Sequence, residues 1–157
     1  MILCYVLVAI SGLGLFQIGL NHYFDFFLTN RISFDLIVSI IFIAAQTLVM
    51  FFFVGTGVNV REYLETHSEL GDELYKKMFA IKRRLYPPTM MLTILFMAMV
   101  IVDGIFYFGK ISEWWFHILY FLTLYYYYKA TKEQHASFIG STKIVLKMTE
   151  KERESIG

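Results

Sequence analysis

The sequence predicts an all-α integral membrane protein: a four-helix bundle with a cytoplasmic amphipathic helix between spans 2 and 3 and a cytoplasmic helical extension after span 4. Three observations carry this. Hydrophobic residues make up 57% of the 157, above the roughly 45–50% of ordinary soluble domains, and the mean hydropathy is +0.56. Apolar stretches at 2–20, 34–54 and 89–108, with a shorter one at 114–128, approach the roughly 20 residues that cross a hydrocarbon core. The charges are also lopsided. Arg31 and Lys110 are the only basic residues in the two short connections, against six in 61–84 and six in 129–153. By the positive-inside rule, both termini and the central loop are expected on the cytoplasmic side of a cell membrane. A soluble four-helix core would leave each helix a polar face, and these segments are apolar almost all round.

The first stretch is expected to remain as a span. It lacks the basic start, short apolar run and small-residue site of a cleavable signal peptide. Gly12 and Gly19 are seven apart on one face, which suits close helix contact, and Gln17 suits an interhelical hydrogen bond, as does Gln46 in the second span. Cys4 is the single cysteine and cannot form an intrachain disulfide. Gly55-Thr56-Gly57 follows a helix, whereas a phosphate loop follows a strand, so close contact or a hinge is the expectation there.

The central loop is expected to hold an amphipathic helix over 69–85. Ser68 is its cap; Glu69, Asp72 and Glu73 open it, and Lys76, Lys77, Lys82, Arg83 and Arg84 close it, each set opposing the helix dipole. Leu70, Leu74, Met78, Ile81 and Leu85 recur at helical spacing. Tyr86, Pro87 and Pro88 are expected to end that helix and start the third span, since proline lacks an amide hydrogen yet fits a first turn. Lys82, Arg83 and Arg84 at that corner are candidate contacts for anionic lipid headgroups, as well as a topology signal.

The fourth span is bracketed by interfacial aromatics, Trp114 and Trp115 before it and Tyr125 to Tyr128 at its end. Beyond it the chain is expected to run on as a helix to Gly140-Ser141 and break there. The transmembrane domain then covers 1–140 and a cytoplasmic tail 141–157, in which Ile144, Val145, Leu146 and Met148 form a small apolar patch for lipid or a partner.

Ionisable groups in spans are the default place to look for function. Asp103 lies five residues before the end of the third span and His117 five after Ser112, so both sit about 7–8 Å inside the outer boundary. Glu113 precedes His117 by four, on the same face, and His22 and Asp25 are three apart in the first helix. Asp35 opens the second span at the same end.

His22, Asp25, Asp103, Glu113 and His117 therefore form a candidate transition-metal site, because imidazole and carboxylate ligands together suit zinc, copper or iron. His22 and His117 alone are candidate axial ligands of a haem b. The ordinary alternatives are interfacial solvation of His22, Asp25 and Asp35, a dipole-favoured acid in Glu113, and a local Asp103–His117 pair. On the other side, His67 with Glu62 and Glu65, and His135 with Glu133, read as exposed polar residues.

No catalytic motif is present: no Gly-x-Ser-x-Gly, no Ser-x-x-Lys and no His-Glu-x-x-His. A net charge of +1 gives no broad basic field for nucleic acid. The leading expectation is an accessory or structural subunit whose partners are membrane lipids and other membrane subunits or a second copy. A haem b or metal-binding redox protein is the first alternative and a transporter or channel subunit the second. No run of charges at mid-depth marks a transport path.

Overall fold

A computed structural model describes residues 1–24, 30–66 and 73–156. Among them are four helices: α1 (Ile2–Phe24), α2 (Arg31–Thr66), α3 (Glu73–Tyr107) and α4 (Trp114–Ile156). The described residues contain no strand. α1, α2 and α3 are each long and apolar enough to cross a membrane. Their faces outside the bundle carry large apolar side chains such as Ile2, Leu13, Phe51 and Ile94, which is the pattern a lipid solvent requires rather than water.

The longer helices exceed the thickness of a bilayer core. α4 has 43 residues, about 64 Å of helix, against a hydrocarbon core of about 30 Å. Two expected breaks are in fact continuous helix. α3 runs through Pro87 and Pro88, where a stop and restart was expected. Two consecutive prolines leave the carbonyls of Arg83 and Arg84 without their usual amide partners, but both residues are exposed. Leu85, Pro88 and Thr89 are buried on the inner face and hold the helix on course. α4 likewise runs through Gly140-Ser141. Gly140 is a packing residue, since a Cβ there would lie 2.9 Å from Ile81 Cδ1, and the Ser141 hydroxyl turns back to donate to the Phe138 carbonyl at 3.0 Å.

Three apolar layers stack along the bundle. Leu15, Ile18, Phe42, Phe96, Met99 and Phe116 form the first, with the Phe42 and Phe96 rings stacked at 3.7 Å. Cys4, Val8, Val49, Phe53, Leu85 and Phe138 form the second. Val60, Leu74, Met78 and Ile144 form the third. The amphipathic pattern of the central loop is therefore real over its described part, with Leu74, Met78 and Leu85 buried and Glu73 paired with Lys77 at 3.5 Å. Ser68, Glu69, Leu70 and Asp72 lie outside the described residues, as do Asp25 and His67. Of the apolar tail residues, Ile144 is buried and Val145 and Leu146 are exposed, so the tail is part of α4 and of the bundle.

The glycines of α1 act as expected: Gly12 receives the Tyr127 phenol and Gly19 the Tyr120 phenol. The Tyr127 hydroxyl then donates to the Val8 carbonyl at 2.7 Å. Gly55-Thr56-Gly57 is helical; Gly57 receives the Lys82 side chain, and nothing crowds Gly55. Gln46 accepts a hydrogen bond from Gln134 Nε2 at 2.9 Å, which ties α2 to α4 across the core.

That last contact changes the depth of α4. Gln134 meets the middle of α2, Tyr5 Oη lies 2.9 Å from His135 Nδ1, and Thr142 donates to the Met1 sulfur at 3.6 Å. Residues 129–138 thus run alongside apolar stretches of α1 and α2, and do not project beyond them as the sequence suggested.

Candidate functional site

At the end of the bundle away from the basic residues, here the histidine end, α3 and α4 are joined by a tight hairpin. Gly109 has a φ of 69°, in the left-handed region that favours glycine. Its amide donates to the Phe106 carbonyl at 2.7 Å and that of Lys110 to Ile105 at 3.3 Å, a helix-terminating arrangement. The chain re-enters with Trp115 and Phe116 amides donating to Ser112 and Glu113. This hairpin sets Asp103, near the end of α3, level with Glu113 and His117 at the start of α4.

His22, near the end of α1, sits between these helices. Its ring stacks on Phe116 at 3.6 Å, and its side chain is fully enclosed. Nδ1 lies 2.6 Å from Asp103 Oδ1, and the Arg31 guanidinium donates to the same oxygen at 2.7 Å. Arg31 Nη2 is also 2.9 Å from His22 Nδ1. Arginine remains protonated and has no acceptor capacity, so the consistent arrangement is Asp103 accepting from both, with His22 carrying its proton on Nδ1. The lone pair is then on Nε2. That atom is buried without a hydrogen-bond partner among the described residues and is 3.7 Å from Glu113 Oε1.

His117 mirrors this geometry. Its Nε2 lies 3.8 Å from the same Glu113 oxygen, and its Nδ1 is 2.9 Å from Tyr23 Oη, whose ring stacks on the imidazole at 5.4 Å. With Nδ1–H donating to the phenol oxygen, His117 also presents a bare Nε2. The ligand atoms of His22, Glu113 and His117 all lie within 4.8 Å of one another. Tetrahedral ligands at about 2.0–2.1 Å from a metal stand roughly 3.3–3.4 Å apart, a closure that the partly exposed His117 and Glu113 side chains can supply by rotation.

Asp35, buried just beyond the first turn of α2, lies against both Asp103 and Arg31.

The structure therefore gathers four of the five expected metal residues, with Asp25 outside the described part. It gives them different jobs: Asp103 holds His22 rather than facing the ion, and it pairs with His22, not with His117. Sequence reasoning missed Arg31, which had been read as a loop charge, and Tyr23. The signal for Arg31 was its position as one of two cations on the charge-poor side, an odd place for a basic residue without a partner. For a haem, a flat macrocycle would have to pass between the two imidazoles, where the Glu113 carboxylate stands.

At the basic end the expected headgroup cluster is dispersed. Consecutive helical residues point about 100° apart, and here Lys82 turns inward onto Gly57, whereas Arg83 and Arg84 line separate surface cavities. Burial lowers the Lys82 ammonium below its ordinary 10.5. No family model, no curated protein and no solved structure matches this chain.

Proposed function

We propose that this is a membrane-embedded metal-binding protein that holds one divalent transition-metal ion at the histidine end of its bundle. The ligands are His22 Nε2, His117 Nε2 and a Glu113 oxygen. The observation that carries the reading is the enclosed His22 Nε2, which has no hydrogen-bond partner among the described residues while Nδ1 is held by Asp103. A buried imidazole nitrogen left unpaired costs about 1–3 kcal/mol, and a carboxylate behind the opposite nitrogen is the usual support of a metal-ligating histidine. Two imidazoles and a carboxylate suit zinc or ferrous iron, and they leave further coordination positions open. Glu113 is half exposed at the surface of the site, so water or a small ligand has access to those positions.

The positive-inside bias puts the histidine end outside the cytoplasm, where the ion would meet the external solution. The charge asymmetry and the apolar exterior support placement in a cell membrane with both termini cytoplasmic. Association with partner subunits would rest on the exposed apolar faces alone, and lipid covers such faces equally well.

The test is metal content. Protein purified in detergent, stripped with chelator and dialysed against zinc, ferrous or cupric ions should retain about one ion per chain. His22→Ala and His117→Ala should each retain less of it while keeping their helical circular dichroism. Retention by neither wild type nor variants would refute the reading; so would equal retention by all three.

A further inference from the structure

On the opposite end of the molecule, α3 and α4 enclose a groove of about 440 Å³ that plays no part in the metal site. Its banks are cationic. Lys77 and Arg84 come from α3 and Lys143 and Lys147 from α4, seven and four residues apart, so each pair lies along one helix face. Its floor is apolar, built by Ala80 and Ile81 against Gly140, which lacks the side chain that would collide with Ile81. Among the described residues no carboxylate lines it. Lys77 is shared with Glu73 at 3.5 Å, whereas Arg84, Lys143 and Lys147 make no ion pair among the described residues.

The groove begins where the apolar stretch of α3 ends, next to Pro87 and Pro88, which is the depth of lipid headgroups for a membrane about 30 Å thick in its core. We infer that this groove binds an anionic phospholipid, the phosphate lying between Arg84 and Lys143 and the glycerol region against Ala80, Ile81 and Gly140. Three features favour a lipid over a free anion. The floor is apolar, the banks hold more cations than a single phosphate needs, and the Arg84 end adjoins the apolar stretch of α3. The site replaces the linear cluster Lys82, Arg83 and Arg84, of which it keeps only Arg84. It rests on membrane placement of the chain and is independent of the metal reading.

The test uses the full chain in detergent, titrated with phosphatidylglycerol or phosphatidylcholine and read by native mass spectrometry. Phosphatidylglycerol should bind saturably and in preference to phosphatidylcholine. The triple variant R84Q/K143Q/K147Q should weaken it by about fivefold for each charge removed. A charge-matched control, R83Q/K129Q/K132Q, should bind as wild type does, and Ala80→Phe, which fills the floor, should weaken binding without changing charge. Equal losses in the two triple variants would overturn the groove in favour of diffuse surface charge. Displacement of the lipid by millimolar inorganic phosphate would show a phosphate-ion site and overturn the lipid assignment, as would no preference between the two lipids. Failure of membrane placement itself would be seen separately, as protein that stays monodisperse without detergent.

Discussion

Asp103 does two things with one oxygen: it orients His22 and it neutralises Arg31. The two roles are separable. Asp103→Asn should reduce metal affinity about 10–100-fold, the usual cost of losing the support of a ligating histidine. It should also remove one carboxylate hydrogen bond from the buried Arg31 guanidinium, at about 1–3 kcal/mol. Arg31→Met should incur a stability loss of the same order while preserving most of the metal affinity, because His22 keeps its carboxylate. Thermal melts together with metal titrations on the two variants distinguish these outcomes; a parallel loss of affinity would mean that Arg31 orients the site directly. Lys82 gives a second test at this scale. Its pKa is lowered in the folded protein relative to 10.5, so the unfolded chain binds more protons between the two values and stability rises with pH across that alkaline window. Lys82→Met should abolish that rise, as chemical denaturation at several pH values would show.

At the scale of elements, the close-contact glycines Gly12 and Gly57 are not equivalent. A methyl at Gly12 meets the Tyr127 ring, whose hydroxyl is committed to the Val8 carbonyl, so Gly12→Ala should displace that ring and cost about 1–3 kcal/mol for the orphaned buried groups. A methyl at Gly57 meets only the free end of the Lys82 side chain, which can swing aside, so Gly57→Ala should change the melting temperature little. The sequence carried the helices well because hydrophobic stretches of spanning length are a strong local signal. It failed at Pro87-Pro88 and Gly140-Ser141, where local rules call for a break. There the buried faces of Leu85, Pro88, Ser141 and Ile144 decide the outcome through contacts made with other helices. Tertiary packing of that kind is invisible to propensity.

At the scale of the whole molecule, the depth of α4 against α1 and α2 is the feature that no single segment reveals. Lys129, Lys132 and His135 are exposed beside stretches of α1 and α2 where Val6, Ile10 and Ile43 are also exposed, and charged groups at such depth in a membrane would have to reach water by snorkelling or a local dent in the bilayer. With Cys4 replaced by serine, a cysteine at position 132 should react with a membrane-impermeant maleimide from the basic side, and cysteines at 10 and 43 should not. Equal reactivity would mean that the membrane lies elsewhere on the bundle. The candidate site was legible in part for a related reason. Depth counting brought His22, Asp103, Glu113 and His117 to one end, but helix rotation decided that Asp103 faces His22 and that Arg31 joins them, and rotation has no signature in one sequence.

The most direct measurement is X-ray absorption at the edge of the bound metal in protein loaded with a single equivalent of zinc. The account requires a first shell of nitrogen and oxygen only, with multiple scattering from two imidazoles that falls to one in His117→Ala. A sulfur-containing shell, or imidazole scattering unchanged in that variant, would contradict it.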